Sequence, residues 1–142
     1  MSFKPHEIEY LKSADLGRLA TVQPNGTLQN SPVGFTYNQE LGTIDIVGYN
    51  MSKSQKFRNL ATNNTVAFVV DDIASRTPWR VRCLEIRGTA QQAEASPRPD
   101  LPVDSAIIRI TPKRIISFGI DDTETEPHNL VPDVRDVPTT AD

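Results

Sequence analysis

The sequence predicts a mainly β protein, a small antiparallel barrel with short helices plugging its ends. Three observations lead there. Short runs rich in β-branched residues recur along the chain, with turn signals between them. Only two segments carry helical spacing, too few to alternate with roughly seven strands in a doubly wound sheet. A chain of 142 residues and 15.8 kDa also has room for one core and no second.

The elements follow in order. Pro5–Lys12 reads as a helix, with proline in the first turn and Ile8 and Leu11 at helical spacing. Leu16–Gln23 and Thr27–Tyr37 read as strands joined by Pro24-Asn25-Gly26, since asparagine and glycine tolerate the positive φ of a tight hairpin. Asn38–Gly42 makes a second turn before Thr43–Tyr49, where Ile44 and Ile46 alternate with Thr43 and Asp45. Ser52–Thr62 is the second helix. Ser52 and Gln55 have capping-box spacing, and Phe57, Leu60 and Ala61 form an apolar stripe. Val66–Val70 is apolar without alternation, as in a strand buried on both faces. Arg80–Gln91, Ser105–Ile110 and Arg114–Ile120 complete the strands, with Pro112 at a bulge or a strand edge. Residues 94–104 hold Pro97, Pro99 and Pro102 and read as a loop. From Thr123 the chain is polar and reads as an extended tail. The domain therefore spans residues 1–120, and an acidic, proline-containing tail spans 121–142.

Composition excludes several classes. A single cysteine, Cys83, rules out an intrachain disulfide framework and a cysteine-based zinc site. No apolar leader follows Met1, and the longest apolar run, Val66–Val70, falls far short of the ~20 residues a membrane span needs. The expectation is a soluble, cytoplasmic protein that makes no membrane contact. A net charge of −3 and a pI near 5.4 argue against nucleic acid as a partner. The charge is unevenly placed. Residues 50–90 carry seven basic side chains against three acids, whereas residues 121–142 carry seven acids against Arg135 alone. The middle of the chain suits an anion.

The stretch Asn50–Asn59 runs from a strand end into the first turn of a helix, where free N–H groups and the helix dipole favour an anion. Ser52 and Ser54 add hydroxyls there, and Lys53, Lys56 and Arg58 add charge. Such a stretch reads equally as a phosphate cradle and as a capped surface helix with a solvated basic face. Asp71-Asp72 reads as a pair of turn residues rather than a metal site, for no histidine is nearby. His6 and His128 lie at the two extremities, Ser52 and Ser54 have no base at hand, and Cys83 sits mid-strand as a small buried side chain. No catalytic residue is named from such a set, and no metal ligand. Trp79 stands beside Arg80 and Arg82. It either plugs a barrel end or stacks on a flat heterocycle while an arginine meets an acidic group. An anion cradle and an aromatic without an acid–base pair suit a bound organic cofactor that supplies the reactivity. They also suit a module that binds a phosphorylated ligand without turnover.

A set of short motifs then acquires meaning together. Arg18–Val22 leads to Pro24-Asn25-Gly26, followed by Ser31–Phe35, Ser54–Leu60, Val66–Asp72, Pro78–Arg82, Glu85–Gly88 and Ile107–Ser117. In this order they resemble the split-barrel flavin and deazaflavin oxidoreductases related to pyridoxamine 5′-phosphate oxidase, and within that group the branch using coenzyme F420. The resemblance covers about residues 5–120 and implies an antiparallel split β-barrel of six strands, paired as a homodimer with cofactor sites at the interface. It implies that Lys56, Arg58 and Asn59, with Ser52, Lys53 and Ser54 beside them, hold the cofactor phosphate. It further implies that Asn30, Ser31, Pro32 and Val33 lie along the tricyclic ring, and that Trp79 and Arg80 stand near the pocket mouth. The implied reaction is hydride transfer between coenzyme F420 and an unsaturated small-molecule substrate. The alternatives are an FMN-dependent pyridoxamine phosphate oxidase-like enzyme and a non-catalytic carrier. Arg76, Arg80, Arg82 and Arg87 are candidates for the acidic tail of coenzyme F420; Arg80 and Arg82 share a strand face, and pair either with that tail or with the chain's own acidic C-terminal segment.

Overall fold

The computed structural model describes residues 2–95, 100 and 102–138. Helix α1 (Pro5–Ser13) opens the chain, and β1 (Leu16–Val22) and β2 (Leu28–Gly34) follow as a hairpin. Its turn is the expected one: Gly26 takes φ 87°, where any side chain is strained, and Asn25 Oδ1 accepts the Thr27 N–H at 3.0 Å. The single strand expected over Thr27–Tyr37 is broken at Phe35. Beyond it β3 (Thr36–Asn38) pairs with β4 (Thr43–Ile46) instead of continuing β2. A 3-10 turn, Met51–Lys53, then leads into α2 (Gln55–Thr62).

Two long strands, β5 (Thr65–Arg76) and β6 (Trp79–Glu94), form the central hairpin, and β7 (Ala106–Phe118) returns along β6. The sheet runs β2-β1-β5-β6-β7-β4-β3, antiparallel at every pairing. Ser105–Ile110 and Arg114–Ile120, read from sequence as two strands, are one, and Pro112 sits at a bulge in its pairing with β6. Gly88 faces that bulge. A Cβ there would lie 2.1 Å from the Thr111 carbonyl oxygen, so the close approach requires glycine. The far edge of β7 is shared, with β4 on Ile108–Ile110 and β8 (Asp133–Asp136) on Arg114–Ser117.

The core is aliphatic, built from Leu19, Ile44, Ile46, Phe68, Leu84, Ile86, Ile108, Ile110 and Ile115, with Tyr10 and Leu11 of α1 closing one end. Val66–Val70 corrects the expectation of burial on both faces. Val66, Phe68 and Val70 are buried, while Ala67 and Val69 on the other face are half-buried. No helix among the described residues is long and apolar enough to cross a membrane.

The extended tail is corrected too. Its polar residues find the free edge of β7 and a buried carboxylate. Glu7 of α1 is fully buried, accepts the Ser117 hydroxyl at 2.6 Å, and is paired by Arg135 of β8. Arg135 also donates to the Ser2 carbonyl at 2.8 Å, and Lys4 pairs with Asp133. Burial alone would push the Glu7 carboxyl up. The bonds from Arg135, Ser117 and the Lys4 N–H outweigh it and hold the group below its ordinary value.

Candidate functional site

The start of α2 is organised differently from the sequence reading. Its N-cap is Ser54, whose Oγ accepts the Phe57 N–H at 3.4 Å while its hydroxyl donates to the Met51 carbonyl at 2.7 Å. Ser52 belongs to the preceding 3-10 turn. Its N–H and hydroxyl both donate to Asp104, at 3.0 and 2.6 Å, and these bonds lower the Asp104 carboxyl. The expected Ser52–Gln55 capping box is therefore corrected, and a carboxylate of the chain itself takes the Ser52 donors. The expected stripe is corrected as well. Leu60 is buried and Phe57 partly so, but Ala61 is exposed, and the buried position beside Leu60 is Asn59.

Asn59 is fully buried and every polar atom of its amide is used. Nδ2 donates to Thr21 Oγ1 at 2.9 Å and to Gln29 Oε1 at 3.1 Å, while Oδ1 accepts from Gln55 Nε2 at 2.7 Å. It is a joint that fixes α2 against β1 and β2. The cations around it are free of such duty. Lys4, Arg18, Arg82, Arg87, Arg109, Arg114 and Arg135 are each paired to a carboxylate of the chain. Lys53, Lys56 and Arg58 form no ion pair among the described residues, and Arg58 donates only to Gln55 Oε1 at 3.0 Å. Three unneutralised cations on one helix start fit an anionic group.

Strand β2 lies beside this helix and forms an edge of the sheet. Ser31 and the buried Val33 share a face with Gln29, which bonds to Asn59. Asn30 and Pro32 point to the opposite, exposed face. The structure thus joins α2 to the α2-facing side of β2, and splits the predicted quartet between two faces. A phosphate at Lys56 and Arg58 and a ring along β2 are compatible with one another.

Trp79 and Arg80 stand elsewhere. They open β6 at the tip of the central hairpin, whereas α2 meets β6 near its end, through Gln92 Nε2 and the Phe57 carbonyl at 3.0 Å. The intervening strand measures on the order of 40 Å at ~3.3 Å per residue. A single chain does not bring them to the α2 cradle. Arg80 donates to the Thr125 carbonyl at 2.7 Å, and Arg82 pairs with Asp72 and lies over the Tyr10 ring at 5.0 Å. Both guanidinium groups are thus bonded within the chain, and the Arg82 side chain keeps 38% of its surface exposed. Trp79 is half-exposed and borders a cavity of about 390 Å³ with Val81, Phe118, Pro127, Leu130 and Pro132, a feature that depends on where the tail folds back.

Proton-transfer groups are sparse. Burial, with Asp71 and Glu85 nearby, pushes the Cys83 thiol up to about 11, so it stays protonated at neutral pH. Burial and the bond to Asp72 likewise raise the Tyr10 hydroxyl. No group of three His, Cys, Asp or Glu side chains among the described residues is arranged to hold a metal ion.

Comparison with known proteins places this geometry in context. Residues 3–118 match the family model described as pyridoxamine 5′-phosphate oxidase. The chain is 47% identical over 122 residues to the 5a,11a-dehydrotetracycline/5a,11a-dehydrooxytetracycline reductase of Streptomyces rimosus, covering 85% of this chain and 86% of that protein. Among solved structures, a conserved hypothetical protein of Mycobacterium tuberculosis shares the fold with a TM-score of 0.67 at 20% identity, over 84% of this chain and 86% of its own. General stress protein 26 of Bacillus anthracis does so with 0.63 at 17% identity, over 93% and 99%.

Proposed function

The chain belongs to the pyridoxamine 5′-phosphate oxidase family of split-barrel, flavin-binding oxidoreductases, and from that premise we propose that it is a reductase of flat, unsaturated polycyclic substrates. The observation that carries the reading is the 47% identity to a reductase whose substrates are dehydrotetracyclines. The chemistry a reduced flavin-type cofactor would supply there, when bound, is a hydride. One carbon of the substrate double bond would accept that hydride with its electron pair, and the other a proton from solvent. Solvent is taken as the source in this reading, with Arg80 bonded to the Thr125 carbonyl.

The chain's own residues would bind and orient. Lys56 and Arg58, with Lys53 beside them, would neutralise the cofactor phosphate. Asn59 would act one step back, holding α2 at a fixed distance from β2 so that the phosphate and the ring are presented together. Much of the acceleration would then come from orientation.

Two cofactors suit this frame. FMN is the one the family membership supports. Coenzyme F420 is supported by the motif resemblance and by reductase rather than oxidase chemistry in the relative. Of the arginines expected to meet its acidic tail, Arg80, Arg82 and Arg87 are bonded within the chain, which leaves the exposed Arg76, with Lys53, for that role. Equilibrium titration of the purified protein with each cofactor decides between them. Lys56→Ala or Arg58→Ala should weaken the bound cofactor by about 1.5–3 kcal/mol while leaving the circular dichroism unchanged. Unaltered affinity in both variants would remove the cradle from the model. The assembly we propose is a homodimer, in which the cradle of one chain meets the hairpin tip of the other. Its motive is the half-open sheet face around Ala20, Ala67 and Val69.

A further inference from the structure

We propose that the cavity between the tip of the β5–β6 hairpin and the C-terminal segment binds the ring system of the substrate, with Trp79 as its stacking plane. The inference rests on the reading of the chain as a reductase of polycyclic compounds and adds where such a compound is held. At about 390 Å³ the cavity lies in the range of small-molecule sites. Its walls are Trp79, Val81, Phe118, Pro127, Leu130 and Pro132, and none of these ionises. A phosphorylated substrate would find no cation in that lining, and the neighbouring Arg80 is already bonded to Thr125. A flat, uncharged, largely apolar face is what the site can receive.

Two further features mark it as built. Trp79 keeps 54% of its surface exposed, so a large aromatic plane stands unused by the protein's own packing. The opposite wall is fixed in advance. Asp122 accepts the backbone N–H groups of Glu124 and Thr125 at 3.0 and 2.9 Å, and a 3-10 turn follows at Pro127–Asn129. Strand β8 then ties the segment to β7. Two prolines with restricted φ stiffen what lies between. Binding therefore spends little entropy on ordering the wall.

Trp79 is the only tryptophan of the chain, so its emission reads this cavity without cofactor or turnover. The test titrates cofactor-free protein with tetracycline as the probe. The expected result is a saturable change in emission that Leu130→Glu abolishes and Leu130→Ala weakens by about tenfold, with circular dichroism unchanged. A change that rises linearly with probe, or one indifferent to both Leu130 variants, would overturn the site. So would an emission that responds only to protein concentration, which would mean that a second copy covers the tryptophan. Turnover of a dehydrotetracycline by the holoenzyme, measured in parallel, separates the two readings. Turnover with unaltered emission sinks the site and keeps the reductase. Saturable emission without turnover on either cofactor keeps the site and sinks the reductase.

Discussion

At the scale of single residues, the chain's most consequential charge lies away from the proposed cofactor cradle. Glu7 is fully buried and its ionised form is held by Arg135, Ser117 and the Lys4 N–H. Removing the cation leaves a buried charge without a partner, so Arg135→Ala should cost about 3 kcal/mol or more in urea unfolding, whereas an exposed pair such as Arg114–Asp136 should matter little. Because the folded pKa of Glu7 lies below its unfolded value, the stabilisation is complete above the ordinary glutamate pKa of about 4.3. It drains away as pH falls through the lower folded value. Asp45 adds to the same window, since bonds from Arg109, Asn38 and Thr43 outweigh its burial. Denaturant midpoints measured from pH 6 down to 2.5 should fall steeply below about 4, and less steeply in Arg135→Ala. Equal slopes in the two proteins would show that the Glu7–Arg135 pair plays no part.

The elements differ in how far the sequence announces them. Asn59→Ala should test the joint beneath α2: it strips two donors from Thr21 and Gln29, and loss of about 2 kcal/mol is expected, together with weaker cofactor binding. Full stability with intact binding would make α2 independent of β2. The β1–β2 hairpin and both helices were legible because their signals are local: a positive φ at Gly26, a proline in the first turn of α1, and Phe57 and Leu60 three apart in α2. The basic cluster of Lys53, Lys56 and Arg58 was legible for the same reason. Continuity of β7 was not, since Pro112 reads as a break until Gly88 is seen opposite it. Nor was β8, whose Asp-Val-Arg-Asp run resembles a solvated tail until the free edge of β7 and the carboxylate of Glu7 are in place. The separation of Trp79 from α2 depends on the length of the central hairpin, a quantity that no motif carries.

Across the whole molecule, the cradle and the hairpin tip fall at opposite ends, and only association of two chains would let them serve one site. Sedimentation at micromolar concentration should report about twice 15.8 kDa, and Val69→Arg on the half-open face should halve it. A monomer that still binds cofactor would confine the site to one chain. The same global view gives the Arg135 contacts a second meaning. Arg135 reaches the Ser2 carbonyl and Glu7, and Lys4 reaches Asp133, so the first and last described segments are stitched together. The described backbone leaves from that seam and returns to it. The loop-closure entropy of nearly the whole chain is met by those few contacts. A permuted chain with residues 2 and 138 linked and the backbone opened at Pro24-Asn25-Gly26 should therefore keep every strand pairing among the described residues.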